Sequence, residues 1–194
     1  MRKIKIMLVA IIGLLVFLLQ VVNPVNANQT IQFGNIFQQY NSIEKTQHGV
    51  KEYKALIDQK TVELKKHQIK EIFVTITFAK PLTFEELQDY IKEYNITPKQ
   101  IQVRGLVGEK RITIAVRNTS NIQELVANQL QYPEPAIFVG YIDMYAFVDY
   151  NNLDDIQKDP KTFLLDTSGD SYFNGKDEAF PHALSWMIED LGLR

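Results

Sequence analysis

The stretch NNLDDIQKDPKTFLLDTSGD, residues 151–170, decides between two folds for this chain. Asn152 stands where a helix cap is wanted. Leu153 and Ile156 then give one apolar turn, and Asp154 and Asp155 complement the positive end of the helix. Pro160 forbids continuation and forces Asp159 into an extended conformation. TFLLDT follows as a short strand. The segment before it, AIFVGYIDMYAFVDY (136–150), is the longest apolar stretch beyond residue 27 and reads as a central strand covered on both faces. Asp143 is the charge among its tyrosines, expected near a sheet edge or beside a basic residue. Strand, short helix and strand would form the closing half of a split βαβ unit.

Upstream, IFVTITF alternates. Ile72, Val74, Ile76 and Phe78 share one side and Phe73, Thr75 and Thr77 the other, the pattern of a strand. Thr83 with Glu86 forms a capping box ahead of a helix that buries Phe84, Leu87, Ile91 and Tyr94. QIQVRGLV and RITIAV, separated by Gly108-Glu109-Lys110, suit a hairpin. Ser120 with Gln123 opens a second helix, which Pro133 and Pro135 end. The expected class is therefore α+β, a ferredoxin-like (split βαβ) sandwich with an antiparallel sheet and helices on one face. Two strand orders remain. In one, residues 72–149 form a complete βαββαβ unit and 151–170 add an extra helix and edge strand. In the other, residues 151–170 supply the fourth strand.

The second order resembles the subtilisin-propeptide-like inhibitor family. The resemblance rests on Leu153, Ile156, Asp159-Pro160, Phe163-Leu164-Leu165 and Asp166. The opening strand and helix, 72–94, also fit, as do the strands near 100–106 and 140–149. Residues 107–136 would be an insertion, and no protease domain is joined. The resemblance implies two helices on a four-stranded antiparallel sheet. It also implies that the segment after the last strand, Leu164 to Ser168, enters a protease cleft.

The 194-residue chain begins with a basic stretch, Arg2, Lys3 and Lys5, and an apolar run from Ile6 to Leu19. With Val25-Asn26-Ala27 this has the form of a secretory signal peptide, so residues 1–27 are set aside. The alternative is an uncleaved anchor, the one route to a membrane. Residues 28–68 read as a polar lead-in and an amphipathic helix with Ile43, Val50, Ile57 and Leu64 seven apart. Such a face serves either as a spacer for a partner or as packing for its own domain. Residues 69–194 form the sandwich with a C-terminal loop and helix. Beyond residue 27 there are 18 basic and 23 acidic residues, net −5: +4 over 28–117 and −9 over 118–194. No clustered Lys and Arg marks a nucleic-acid face. The absence of cysteine in a chain that is 45% hydrophobic leaves stability to its core. The location expected is extracytoplasmic, in the bacterial envelope or secreted.

Three places could carry function. Asp166, Ser168, Asp170, Asn174 and Asp177 fall at positions 1, 3, 5, 9 and 12 of an oxygen-ligand rhythm suited to calcium, with the glycine misplaced; the same residues make turns. His182, Ser185 and Asp190 lack a nucleophile turn and oxyanion donors. His48, His67 and His182 without cysteine give no zinc set. Trp186, in the run FPHALSWMIEDLGLR, is either an anchor for a partner or the lid of its own core. The expectation is a non-enzymatic protein-binding module without a cofactor other than that calcium. Leu164, Leu165, Asp166, Thr167 and Trp186 would be its contacts, and a protease inhibitor or propeptide-like chaperone its sharpest form. The alternative is a structural or signalling module of the cell envelope.

Overall fold

A computed structural model describes residues 43–67, 69–117, 121–131, 134–175, 180 and 183–193. The proposed signal peptide, Asp177 and His182 lie outside the described residues. Helix α1 spans Gln47–Lys66, strand β1 Glu71–Leu82, helix α2 Phe84–Glu93, strand β2 Thr97–Val107 and strand β3 Lys110–Val116. Helix α3 is Ile122–Gln129 and strand β4 Ile137–Asp149. A 3-10 turn, Tyr150–Asn152, leads into α4, Leu153–Lys158. Strand β5 is Thr162–Asp166, and α5, Ser171–Asn174, and α6, Ser185–Asp190, complete the chain.

The class is α+β, with a five-stranded antiparallel sheet in the order β3-β2-β4-β1-β5. β1 pairs with both β4 and β5, so β5 is a full neighbour of β1. β1 and β2 run parallel with β4 between them. β4 and β5 likewise run parallel with β1 between them.

The capping box is present as read. Thr83 Oγ1 accepts from Glu86 N at 3.2 Å, and Glu86 Oε2 accepts from Thr83 N at 2.9 Å. The hairpin closes through Gly108-Glu109, with Val107 opposite Lys110 and Gly108 at φ +58°, which glycine adopts freely. Asn152 does not cap α4. Asp149 caps the 3-10 turn instead, and the Asn152 amide donates to Tyr94 O at 2.9 Å. At α3 the N-cap is Asn121, without a side-chain cap bond, and Ser120 is outside the described residues. Asp159 is extended as expected, and its carboxylate accepts from Tyr94 Oη at 2.8 Å.

Helices on one face alone is corrected: both faces are covered. Ile72, Val74, Ile76 and Phe78 pack with Leu87 and Tyr90 of α2, Ile122 and Val126 of α3, and Leu153 and Ile156 of α4. Phe73, Thr75, Thr77, Arg104 and Asp143 point the other way and are just as buried. On that side Leu164 packs with Val50, Tyr53 and Ile57 of α1 and with Leu184, Met187 and Ile188 of the α6 region. Phe180 adds ring contacts with Phe73 and Tyr145, each at 5.2 Å. The physical reason is the sheet's composition: a second face bearing Phe73, Tyr145 and Leu164 needs a cover of its own.

α1, the expected amphipathic helix, belongs to the same compact unit as the sheet. Its face is satisfied internally, with Val50, Tyr53, Ile57 and Leu64 all buried. Gly49 is required where it stands, since a Cβ there would lie 2.2 Å from Glu44 O. No helix among the described residues is long and apolar enough to cross a membrane.

Candidate interaction site

Leu164, Leu165, Asp166 and Thr167 lie in the interior, each at most 4% exposed. Strand alternation sends Leu165 to the α2 side and Leu164 to the α1 side. Asp166 is held from two directions. Tyr53 Oη donates to its Oδ2 at 2.5 Å, and Ser168 N donates to its Oδ1 at 2.8 Å. Thr61 and Thr167 hydroxyls meet at 3.1 Å. Burial raises the Asp166 carboxyl above its ordinary range, opposed by hydrogen bonds from Ser168 and Tyr53 and by the charge of Lys60. Burial also lowers Lys60 to about 8, against the pull of Asp166. The Lys60 ammonium lies 5.0 Å from the Phe173 ring centroid. This enclosed polar cluster ties α1 to β5.

Three residues of the calcium rhythm, Asp166, Asp170 and Asn174, are engaged by the fold. Asp170 caps α5 by accepting from Tyr172 N at 2.8 Å, and its other oxygen accepts from Phe73 N at 2.7 Å. The Asn174 amide donates to Ser168 O and Asp170 O at 2.9 and 2.8 Å. So the side chains of Asp166, Asp170 and Asn174 hold backbone groups of the turn itself. Among the described residues no group of three or more His, Asp or Glu gathers as a metal site.

Trp186 fastens α6 to the sheet. Its indole lies 4.1 Å from the Arg104 guanidinium and 4.6 Å from that of Arg111, and its Nε1 donates to Thr113 Oγ1 at 3.1 Å. Arg104, 2% exposed, pairs with Glu189 at 3.0 Å, and Arg111 pairs with Glu189 at 2.9 Å and with Asp190. The acidic C-terminal half thus meets the basic N-terminal half within one molecule. Ser185 is fully buried and Asp190 is engaged by Arg111. Asp143 sits in the central strand at 0% exposure, not near an edge.

Trp186 keeps 38% of its surface exposed, and a further exposed apolar stretch lies at the start of β4. The first three residues of β4, read as covered on both faces, are open: Ile137 69%, Phe138 40% and Val139 40% exposed. They pair with β2 on one side, Leu106 opposite Ile137 and Gly105 opposite Phe138. On the other side pairing with β1 ends at Leu82 opposite Tyr141. Gly140 marks the junction. At φ +149°, with a would-be Cβ 2.7 Å from Pro81 Cβ and 2.8 Å from Leu82 O, only glycine fits. Burial raises Tyr141 to about 12, and the nearby Glu85 carboxylate adds to the rise. An open groove of about 670 Å³ also runs between α1 and the chain end, lined by His48, Lys51, Lys54, Phe163 and Leu193.

No family model, no curated protein and no solved structure matches the chain. Sequence reading did not single out the open end of β4. Two signals were available: a glycine inside a strand, which marks close backbone approach, and an apolar run longer than its neighbours.

Proposed function

We propose that the protein is a non-enzymatic protein-binding module of the cell envelope or its exterior. The observation that carries this reading is the contiguous exposed run Ile137-Phe138-Val139. Three successive large apolar side chains left open on a strand are costly in water and invite a partner. The polar residues suited to chemistry, Asp166, Lys60, Ser168 and Ser185, are by contrast enclosed.

The strand order supports the split βαβ reading. Taken without β3, the sheet runs β5-β1-β4-β2, with both crossovers made by helices, and β3 is an added edge strand. That order favours residues 151–170 as an integral half of the fold over a complete unit at 72–149. The propeptide-like form of the reading would use Leu164 to Ser168 in a protease cleft. Those residues are interior, and the chain continues through α5 and α6. Contact through the open end of β4 needs no rearrangement. The N-terminal charge and apolar run support placement outside the cytoplasm.

The test is site-specific photocrosslinking in the producing cell, with p-benzoylphenylalanine in place of Phe138 or, as a control, of Val62, which is 53% exposed on α1. A discrete protein adduct from position 138 and none from position 62 is the expected result. Equal or absent adducts at both positions would remove this reading.

A further inference from the structure

The open end of β4 is an unfinished sheet as well as an apolar patch. Pro81 and Leu82 of β1 still flank Gly140, but residues 137–139 extend past the last β1 pairing, so the backbone groups that alternate toward that side have no strand beside them. Of the other two edges, β5 is engaged by side chains. At β5, Lys54 Nζ donates to Phe163 O at 2.8 Å and Gln157 Oε1 accepts from Leu165 N at 3.3 Å. β3 opens with Lys110 and Arg111, charges that discourage strand addition. The gap beside β4 also has a sign. Glu85, close enough to Tyr141 to act on it, and Glu134, three residues before Ile137, are both exposed. Neither makes an ion pair among the described residues. Lys80, the nearest cation along β1, is engaged by Glu86 at 3.0 Å.

Resting on the protein-binding reading above, we infer that the free edge of residues 137–139 accepts an extended segment of a partner protein as an added strand, apolar at alternate positions and flanked by a basic residue. Backbone pairing selects an extended segment over a helix. Alternation lets every second side chain of the segment lie over Phe138 or its neighbours. Glu85 and Glu134 meet the basic flank. A second copy of this chain is a poorer occupant. It would bring its own Glu85 and Glu134 against those of the first copy, a like-charge clash where a basic flank finds a countercharge.

The test uses the ¹⁵N-labelled protein and three synthetic peptides: Lys-Val-Thr-Val-Thr-Val-Lys, the same peptide with its central Val replaced by Pro, and a version with Glu at both ends. The expected result is slowed solvent exchange and shifted resonances confined to residues 137–139 and their β2 partners with the first peptide. The proline peptide should give no protection, and the Glu-ended peptide should bind at least tenfold more weakly. Protection at β3 or β5, an equal effect from the proline peptide, or protection that instead tracks concentration of the protein alone would overturn the inference. If no peptide acts while Phe138 still crosslinks a partner in the cell, strand addition fails and the module reading stands. If neither occurs, both fail.

Discussion

Replacing Glu189 by Gln should unfasten the C-terminal helix. Arg104 is 2% exposed and meets Glu189 at two atoms, Nη2 to Oε2 at 3.0 Å and Nε to Oε1 at 3.3 Å. Its remaining partners are neutral, Thr113 Oγ1 at 2.5 Å and Ile112 O at 3.4 Å. An amide at position 189 keeps the size of the side chain. It leaves the guanidinium enclosed without its countercharge and sets an N–H group against it. Removing one partner of a buried pair costs about 3–5 kcal/mol. Glu189 is 15% exposed, so the lower end, about 3 kcal/mol, applies. Asp190→Asn is the matched control: that side chain is 60% exposed and its pair with Arg111 contributes about 1 kcal/mol or less. Urea unfolding, followed by fluorescence of the single Trp, reads both changes. The Trp186 ring lies against both arginines, so Glu189→Gln should also shift native emission to longer wavelength. A loss under about 1 kcal/mol for Glu189→Gln, or an equal loss for Asp190→Asn, would refute the reasoning.

Three further outcomes follow from the same structure. Thr83→Ala removes a reciprocal cap and should lower stability by about 1 kcal/mol in urea unfolding. Lys60 gives a pH signature. Its folded pKa, about 8, lies below the unfolded value, so between these values the unfolded chain binds more protons and stability rises with pH. The rise from pH 8 to 10 should be about 2 kcal/mol and should be missing in Lys60→Met; a flat profile in the parent would contradict the burial of Lys60. A subtilisin-like protease mixed with the protein should keep full activity, because Leu164 to Ser168 are interior; tight, slow-release inhibition would return function to that segment.

The parts of the fold legible in the sequence are those governed by local chemistry. Thr83 and Glu86 announce the start of α2, Gly108 the hairpin, and Pro160 the end of α4, because capping and backbone restriction act within a few residues. Alternation places Ile72, Val74 and Ile76 on one side of β1. It leaves open what covers the other side of the sheet, since α1 and α6 reach it from distant parts of the chain. Asp166 and Asp170 read equally well as ligands or as turn and cap residues. Their partners, Tyr53 and Phe73, lie 113 and 97 residues away, and only tertiary structure brings them together. Arg104 looks like a solvated strand residue until α6 encloses it. For the run Ile137 to Val139, composition says strand. Exposure depends on where β1 turns away at Leu82, a register fact that local sequence does not carry.

The most direct test of the account compares the affinity of the partner crosslinked through Phe138 for the parent protein and for the variant Ile137→Ser/Phe138→Ser/Val139→Ser. None of the three side chains belongs to the buried core, although the Phe138 ring meets Tyr141, so the variant should stay folded while losing at least a hundredfold in affinity. Unchanged affinity with unchanged stability would contradict the claim that the open end of β4 is where this protein meets its partner.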